Sequence, residues 1–126
     1  AGLDFLVLAL PHTKASEGLV GEAEFRALPR GAFLLNPARG PIVQEQALLT
    51  ALRKGWLGGA ALDTHFAYPL PADHPLWTAP NLLITPHTSG YGPHLDERRI
   101  ALLVANARRF AAGEPLLNVV DKALWY

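Results

Sequence analysis

The sequence predicts an α/β fold, the second half of a doubly wound parallel sheet that is followed by a helix and a tail. Four short apolar runs recur, at residues 5–10, 32–35, 59–62 and 82–85, and helical segments separate the first three. None of these runs alternates between apolar and polar residues, which is typical of parallel strands covered on both faces. We therefore expect four parallel strands.

Helices are expected between the first three strands. Residues 22–28 predict a short helix, which ends at Pro29 because proline interrupts helical hydrogen bonding. Residues 44–54 predict a stronger helix, and Gly55 lies directly after its end. Its buried stripe is expected to consist of Ala47, Leu48, Ala51 and Leu52.

A long loop and a long helix are expected after the third and fourth strands, respectively. Residues 64–81 contain four prolines, so we expect an irregular loop. Two roles are open: His74, Trp77 and Tyr91 shape a substrate pocket, or Leu76 and Trp77 pin the loop to the core, which we favour. Loops of this length inside a compact domain are usually functional. The helix is expected over about residues 93–112, before Gly113. Its buried stripe is expected to consist of Ile100, Leu103, Val104, Ala107, Phe110 and Ala111.

The composition is that of a small globular protein without excess charge. Half of the 126 residues are hydrophobic and 17% are charged, so we expect a packed core. Eleven basic residues balance eleven acidic ones, which gives no electrostatic reason to expect nucleic acid or a membrane as partner. The absence of cysteine excludes disulfides and thiolate chemistry. No apolar stretch approaches the roughly 20 residues of a membrane span, and we expect a cytoplasmic protein.

The first residues indicate a piece of a longer protein. The chain contains no methionine, and it enters an apolar strand almost immediately, at Phe5. A natural domain seldom begins with its most buried strand. We therefore expect that a segment is missing upstream.

Polar or conformationally special residues follow the carboxyl end of each predicted strand. They are Pro11 to Thr13, Asn36 to Gly40, Asp63 to His65, and Pro86 to Gly90. In open parallel sheets, ligands bind outside the carboxyl ends of the strands. Four successive strands therefore place polar groups at one edge, where a cofactor is expected.

Two of these residues match the chemistry of 2-oxo acid reduction. An arginine holds the substrate carboxylate bidentately, a histidine that titrates near neutrality donates the proton, and a nicotinamide supplies the hydride. Arg39 and His87 fit the first two roles, although either residue alone is more often a surface or structural side chain. No metal site is expected from the remaining histidines, which lack the spacing of zinc ligands: His12, His65, His74 and His94.

These motifs together resemble the cofactor-binding domain of the D-2-hydroxyacid dehydrogenases, the family that contains the glyoxylate/hydroxypyruvate reductases. The likeness covers almost the whole chain. It lies in LALPHT at 8–13, LNPARG at 35–40, GAALD at 59–63, TPH at 85–87 and GEPLLNVV at 113–120. The resemblance implies a Rossmann-like domain that binds NAD or NADP.

The resemblance also implies roles for individual residues. Arg39 is expected to anchor the substrate, His87 to exchange the proton, and Asp63 to contact the nicotinamide carboxamide. The residues expected along the cofactor are Pro11, Thr13, Asn36, Ala38, Arg39, Asp63, His87 and Gly90. Residues 1–92 are expected to be the later part of the NAD(P)-binding domain, and residues 93–126 a helix and tail that return toward the substrate domain.

The sequence departs from the family pattern at two points. The glycine-rich turn and the acidic residue for the adenosine ribose lie upstream in the family and are missing here, so the chain alone is expected to be inactive. The family also has a glutamate before a proline that pairs with the catalytic histidine, and Tyr68 occupies this catalytic position. Because tyrosine supplies no charge to stabilise an imidazolium, we expect His87 to be a weaker proton donor than in relatives.

Two hypotheses about function follow. The first is an NAD(P)-dependent oxidoreductase that transfers a hydride between nicotinamide and a small 2-hydroxy or 2-oxo acid. The alternative is a catalytically impaired or inactive remnant that acts as a folded or dimerising module. The resemblance implies a homodimer under either hypothesis. The residues that choose between NAD and NADP lie outside the chain.

Overall fold

The computed structural model describes residues 2–124 and 126. Its contacts divide the chain into two compact units, Ala1–Ser89 and Gly90–Tyr126, and each is described by itself below. The expected division assigns cofactor binding to residues 1–92 and a helix and tail that return toward the substrate domain to residues 93–126. This division stays a prediction.

A parallel sheet of four strands forms the centre of the first unit. Its strands are β1 (Phe5–Val7), β2 (Phe33–Asn36), β3 (Gly59–Leu62) and β4 (Leu82–Ile84), in the spatial order β1-β2-β3-β4. The predicted α/β class and all four strands are confirmed. The first strand is shorter than residues 5–10, because its partner β2 turns away into a loop after Asn36.

Two helices cover one face of this sheet. They are α1 (Glu22–Ala27) and α2 (Glu45–Arg53), both within the predicted ranges. The predicted stripe of α2 is buried, and Leu48 and Phe25 are fully inaccessible to solvent. These side chains share one core with Leu34 of β2 and Leu62 of β3, so both helices pack on the same side.

The other face of the sheet is open, and the prediction that both faces are covered is wrong for this chain. Phe5, Val7, Phe33 and Leu83 are between 43% and 61% exposed. The rings of Phe5 and Phe33 stack at 5.8 Å between centroids. A hollow of about 670 Å³ lies on this face, along the strands and not at their carboxyl ends. An apolar run shows that both faces of a strand can be buried, but it does not show what covers each face.

The predicted long loop contains one turn of 3-10 helix at Pro75–Thr78. Leu76 within it is 1% exposed and belongs to the core, and the Trp77 indole donates a hydrogen bond to the Pro71 carbonyl at 2.7 Å. The His74 imidazole lies 3.3 Å from a carboxylate oxygen of Glu45 in α2. The prediction that this loop is pinned to the core is confirmed for Leu76, whereas Trp77 is 52% exposed and its indole bonds within the loop.

The second unit consists of a helix, α3 (Leu95–Ala111), and a tail. Asn106 on the helix exchanges two hydrogen bonds with the backbone of Leu117 in the tail, at 3.1 and 2.8 Å. Gly113, with φ of +68°, follows the end of the helix as predicted. The expected burial of the apolar stripe is wrong, since no residue of α3 is buried. Helical spacing determines which side chains share a face, but not what covers that face.

Among the helices of the described residues, none combines the length and the apolar character needed to cross a membrane.

Replacing Leu34 by alanine should destabilise the first unit, because this side chain is 0% exposed in the core. We expect the free energy of unfolding to fall by about 2–5 kcal/mol, as urea denaturation followed by circular dichroism would measure. Leu83→Ala is the matched control, since Leu83 is also the second residue of its strand but is 61% exposed. An equal loss in both variants would contradict the assigned core.

Candidate active site

The strands β2, β3 and β4 end side by side. Asn36 is in register with Leu62, and Leu62 is in register with Ile84. The segments that follow these strands therefore leave the sheet at one edge, as the sequence predicts. Since neighbouring strands lie about 4.8 Å apart, the ends of β2 and β4 are roughly 10 Å from each other.

The buried side chain of Asn36 fixes the backbone of the loop that carries Arg39. Asn36 is 1% exposed, and its amide oxygen accepts a hydrogen bond from the Ala38 N–H at 3.1 Å while its amide nitrogen donates to the Arg39 carbonyl at 2.9 Å. The guanidinium of Arg39 is exposed and donates to the Ala38 carbonyl at 2.6 Å. The buried amide thus fixes the backbone and leaves the charged group at the surface.

The loop of Arg39 also packs against the segment after β3. A Cβ atom added to Gly40 would lie 2.3 Å from the carbonyl oxygen of His65, so the backbones approach too closely for any side chain there. The Asp63 N–H donates to the Asn36 carbonyl at 3.1 Å. These contacts join the two segments, and the position of Arg39 depends on both.

The carboxylate of Asp63 connects the end of β3 to the segment after β4. One carboxylate oxygen accepts hydrogen bonds from the Thr85 hydroxyl at 2.6 Å and the Thr88 N–H at 2.9 Å. The other accepts from the Ser89 N–H at 2.8 Å and the Ser89 hydroxyl at 2.5 Å. Burial by itself raises the pKa of Asp63, but the bonds from Ser89, Thr85 and Thr88 outweigh it and hold this pKa well below its ordinary value.

His87 lies inside the turn that Asp63 holds. Its φ is +59°, a left-handed backbone conformation that is uncommon outside glycine and that, among the other residues, asparagine, aspartate and histidine adopt most often. The His87 N–H donates to the Thr85 carbonyl at 3.0 Å. The side chain is exposed, and within the part of the chain that the structure describes its imidazole has no hydrogen-bond partner. Both ring nitrogens are therefore accessible to a ligand.

The match with known proteins agrees with this arrangement. The family model described as D-isomer specific 2-hydroxyacid dehydrogenase, NAD binding domain, matches residues 1–89. The chain belongs to this family. The predicted resemblance is thereby confirmed, and so is the class of domain, an NAD-binding domain of α/β type.

Relatives named as reductases are similar to the chain along nearly all of its length. Glyoxylate reductase of Korarchaeum cryptofilum is 34% identical over 94% of this chain and 36% of the relative. Glyoxylate/hydroxypyruvate reductase A of Serratia proteamaculans is 37% identical over 99% of this chain and 39% of the relative.

A solved structure, the NADPH-dependent glyoxylate/hydroxypyruvate reductase of Sinorhizobium meliloti in complex with NADP and sulfate, superposes with a TM-score of 0.87 at 35% identity. It covers 98% of this chain, which spans 40% of that structure. The chain thus spans about two fifths of the length of these relatives.

Tyr68 stands where the resemblance implies a glutamate, and its ring lies beside His87. The two ring centroids are 5.5 Å apart and the planes are tilted by 38°. The Tyr68 hydroxyl accepts a hydrogen bond from the His65 N–H at 2.8 Å. At this position His87 therefore has an aromatic ring beside it and no carboxylate.

The turn after β1 depends on a serine that sequence reasoning missed. Ser16 is 6% exposed; its hydroxyl donates to the Pro11 carbonyl and accepts from the Thr13 N–H, both at 2.8 Å. The spacing of Thr13 and Ser16 is that of a local side-chain turn, which is the signal that could have identified it. Ser16 thereby determines where Pro11 and Thr13 stand at the carboxyl edge.

Two buried ring nitrogens at this edge have no hydrogen-bond partner among the described residues. They are Nε2 of His12, after β1, and Nδ1 of His65, after β3. Gly90, the other residue expected along the cofactor, is exposed and begins the second unit. Over residues 2–124 and 126, no group of three or more His, Cys, Asp or Glu side chains is arranged to hold a metal ion.

The Asp63 contacts lead to a pH dependence of stability. Because folding lowers the pKa of Asp63, its stabilisation is complete above about pH 5 and is lost progressively as the pH falls further. Asp63→Asn should reduce the free energy of unfolding near neutral pH by about 2 kcal/mol and flatten its decrease below about pH 5. Urea denaturation at several pH values measures both, and Asp73→Asn in the exposed loop is the control. A decrease as steep in Asp63→Asn as in the parent would contradict this assignment.

Proposed function

We propose that the protein containing this chain is an NAD(P)-dependent oxidoreductase that transfers a hydride between nicotinamide and a small 2-hydroxy or 2-oxo acid. The observation that carries the proposal is that an exposed Arg39 guanidinium and an exposed His87 imidazole lie at the same edge of one sheet, after strands β2 and β4. The relatives named as glyoxylate and hydroxypyruvate reductases support this substrate class.

The carboxyl edge fits a polar dinucleotide ligand. Nδ1 of His65 is a buried polar atom without a hydrogen-bond partner among the described residues, which a ligand there would satisfy. Nε2 of His12 is also buried and lies 4.0 Å from a carboxylate oxygen of Glu17. The residues that would hold the cofactor are Pro11, Thr13, Asn36, Ala38, Arg39, Asp63, His87 and Gly90. Asn36 and Asp63 already use their side chains within the protein, so they would act through the backbone that they position. When bound, the nicotinamide supplies or accepts the hydride.

Arg39 would bind the substrate carboxylate. A guanidinium presents two parallel N–H donors that match both carboxylate oxygens, and it remains charged at all relevant pH values. The same charge polarises the neighbouring ketone, which favours addition of the hydride to carbon. The backbone of this loop is fixed by Asn36, so the exposed guanidinium starts from a defined position.

His87 would exchange the proton. In reduction, its imidazolium donates a proton to the carbonyl oxygen as that oxygen becomes a hydroxyl; in oxidation, the neutral ring accepts the proton back. The free ring nitrogens and the exposure of the side chain suit a group that must reach the substrate. Tyr68 packs beside this ring without supplying charge.

The state and location of the protein are part of the proposal. We infer a cytoplasmic homodimer, which the family resemblance implies. The balanced charge gives no support for nucleic acid or an anionic membrane as partner. Exposed apolar side chains on α3, such as Leu103 and Phe110, are suited to assembly with another surface.

An inactive family member is the second candidate, and the Tyr68 geometry favours it. The Tyr68 hydroxyl is bonded to the backbone of His65, and no charge from this residue stabilises a protonated His87. A protein that folds and assembles but turns over slowly is consistent with that arrangement.

Activity measurements on the full-length protein separate these candidates. We expect NAD(P)H-dependent reduction of glyoxylate and hydroxypyruvate, followed by the loss of NAD(P)H absorbance. His87→Gln should lower kcat by about 10²–10⁴-fold, because it removes the proton donor. Arg39→Lys should raise KM for the acid, because it loses the bidentate contact. Arg53→Lys, on the exposed side of α2, is the control. A parent protein without turnover of either acid would favour the inactive module.

Restoring the carboxylate should extend the pH range of reduction. Reduction needs protonated His87, and a nearby negative charge stabilises the imidazolium. We expect the upper pH limit of kcat in Tyr68→Glu to rise by about one unit relative to the parent. Tyr68→Gln, which has the same chain length as glutamate but no charge, should show no such rise. Identical upper limits for the two variants would overturn this role of the charge.

A further inference from the structure

Three aromatic rings meet at the carboxyl edge of the sheet. The ring of Tyr68 pairs with the imidazoles of His65 and His87, at centroid distances of 5.4 and 5.5 Å and interplanar angles of 39° and 38°. Both distances fall within the range of about 4.5–7 Å over which aromatic rings attract each other. We call His65, Tyr68 and His87 the ring cluster.

His65 is the buried member of the ring cluster. It follows β3 and is 8% exposed, whereas Tyr68 is 57% exposed. The His65 N–H donates a hydrogen bond to the Tyr68 hydroxyl at 2.8 Å, and the His65 imidazole packs beside the Tyr68 ring. A buried residue therefore holds the tyrosine at two points, the hydroxyl and the ring.

The same buried residue contacts the loop that carries Arg39. Gly40 in that loop approaches the His65 carbonyl too closely for any side chain to fit between them. The base of the ring cluster and the loop of the proposed substrate anchor are thus packed together. The placement of the His87 imidazole relative to Arg39 therefore depends on His65.

The imidazole of His87 requires a contact that sets its direction. The side chain is exposed, and over the described residues 2–124 and 126 no hydrogen bond holds its ring. An exposed side chain moves between rotamers, and the terminal torsion of histidine is broad. Proton transfer nevertheless needs the donor nitrogen within hydrogen-bond reach of the substrate oxygen. The ring of Tyr68 lies beside this imidazole and restricts the directions that it can take.

We infer that His65 and Tyr68 are positioning residues: buried His65 holds the Tyr68 ring, and that ring orients the His87 imidazole for proton exchange. The family resemblance implies a glutamate at position 68, which would supply both an orienting contact and a charge. Tyr68 retains the orienting contact through its ring and lacks the charge. This inference rests on the proposed function for what His87 does.

Orientation, charge and packing affect different measurements. Loss of orientation lowers kcat at every pH, because fewer imidazoles point at the substrate. Loss of charge moves the upper pH limit of kcat, because it changes the fraction of His87 that is protonated. Loss of packing alone lowers the folded fraction, and the activity of each folded molecule stays the same.

The first experiment compares Tyr68→Leu with Tyr68→Phe in the full-length protein. Leucine removes the ring, whereas phenylalanine retains the ring and loses only the hydroxyl. We expect kcat for glyoxylate reduction, per folded molecule, to be about tenfold lower in Tyr68→Leu than in Tyr68→Phe, since small misplacements slow catalysis steeply. The upper pH limit should be the same in both variants, and their NAD(P)H dissociation constants should agree within about twofold. Equal values of kcat would overturn the inference.

Variants of His65 separate its ring from its ring nitrogen. His65→Phe keeps an aromatic ring and removes Nδ1, whereas His65→Leu removes both. We expect kcat to be about tenfold lower in His65→Leu than in His65→Phe, because leucine no longer holds the Tyr68 ring. Equal losses in the two variants would show that the nitrogen acts on a ligand directly and would contradict the positioning role. If His65→Leu does not fold, the comparison at the exposed Tyr68 still decides the inference.

A second measurement does not depend on turnover. An aromatic ring displaces the NMR signals of groups beside it, so the imidazole signal of His87 reports the Tyr68 ring. In full-length protein with isotope-labelled histidine, the signal that disappears in His87→Gln belongs to this imidazole. We expect it to move in Tyr68→Leu and in His65→Leu, and to stay near its parental position in Tyr68→Phe. A signal that stays in place in Tyr68→Leu would contradict the ring contact.

Failure of this inference and failure of the proposed function give different results. If the parent reduces no acid but Tyr68→Leu moves the His87 signal, the proposed function fails while the orienting contact holds. If the parent reduces acids and the two Tyr68 variants have equal kcat, the inference fails and the proposed function stands.

Discussion

The buried carboxylate of Asp63 is the interaction on which the candidate site depends. A charge removed from water is unfavourable unless hydrogen bonds replace its hydration, and here two hydroxyls and two backbone N–H groups do so. Because these donors belong to the segment after β4, satisfying the charge requires that segment to close over the end of β3. The hydrogen bonds that stabilise the buried carboxylate therefore also fix the position of the His87 turn.

One strand away, the uncharged side chain of Asn36 has the same structural role. Asn36 is buried at the end of β2, and its amide holds the backbone on which Arg39 stands. In both cases a buried polar side chain at the end of a strand fixes a following loop by hydrogen bonds, and the side chain of Arg39 or His87 in that loop remains exposed. The close approach of Gly40 to the His65 carbonyl joins the two arrangements. The backbone at Arg39 and His87 is thereby fixed, while both side chains remain exposed.

Tyr68 places an uncharged aromatic ring beside His87, at a position where the family resemblance implies a glutamate. The Asp63 charge is engaged by four donors, and the residue next to the His87 ring is aromatic. Position 68 therefore adds no negative charge beside the imidazole. The same absence withdraws a stabilising partner from protonated His87.

The sequence by itself determined the strands, the buried stripe of α2, the family, and the placement of Arg39 and His87 after two strands of one sheet. These follow from local spacing and from the order of short motifs, which the chain carries without reference to its fold. Only the tertiary structure decided that one sheet face is open, that the stripe of α3 is exposed, that Asp63 binds the His87 turn, and that the Tyr68 hydroxyl binds backbone. Asp63 and its donors are more than twenty residues apart, so their meeting depends on strand register. Periodicity shows which side chains share a face, but what they contact is determined by how distant segments pack.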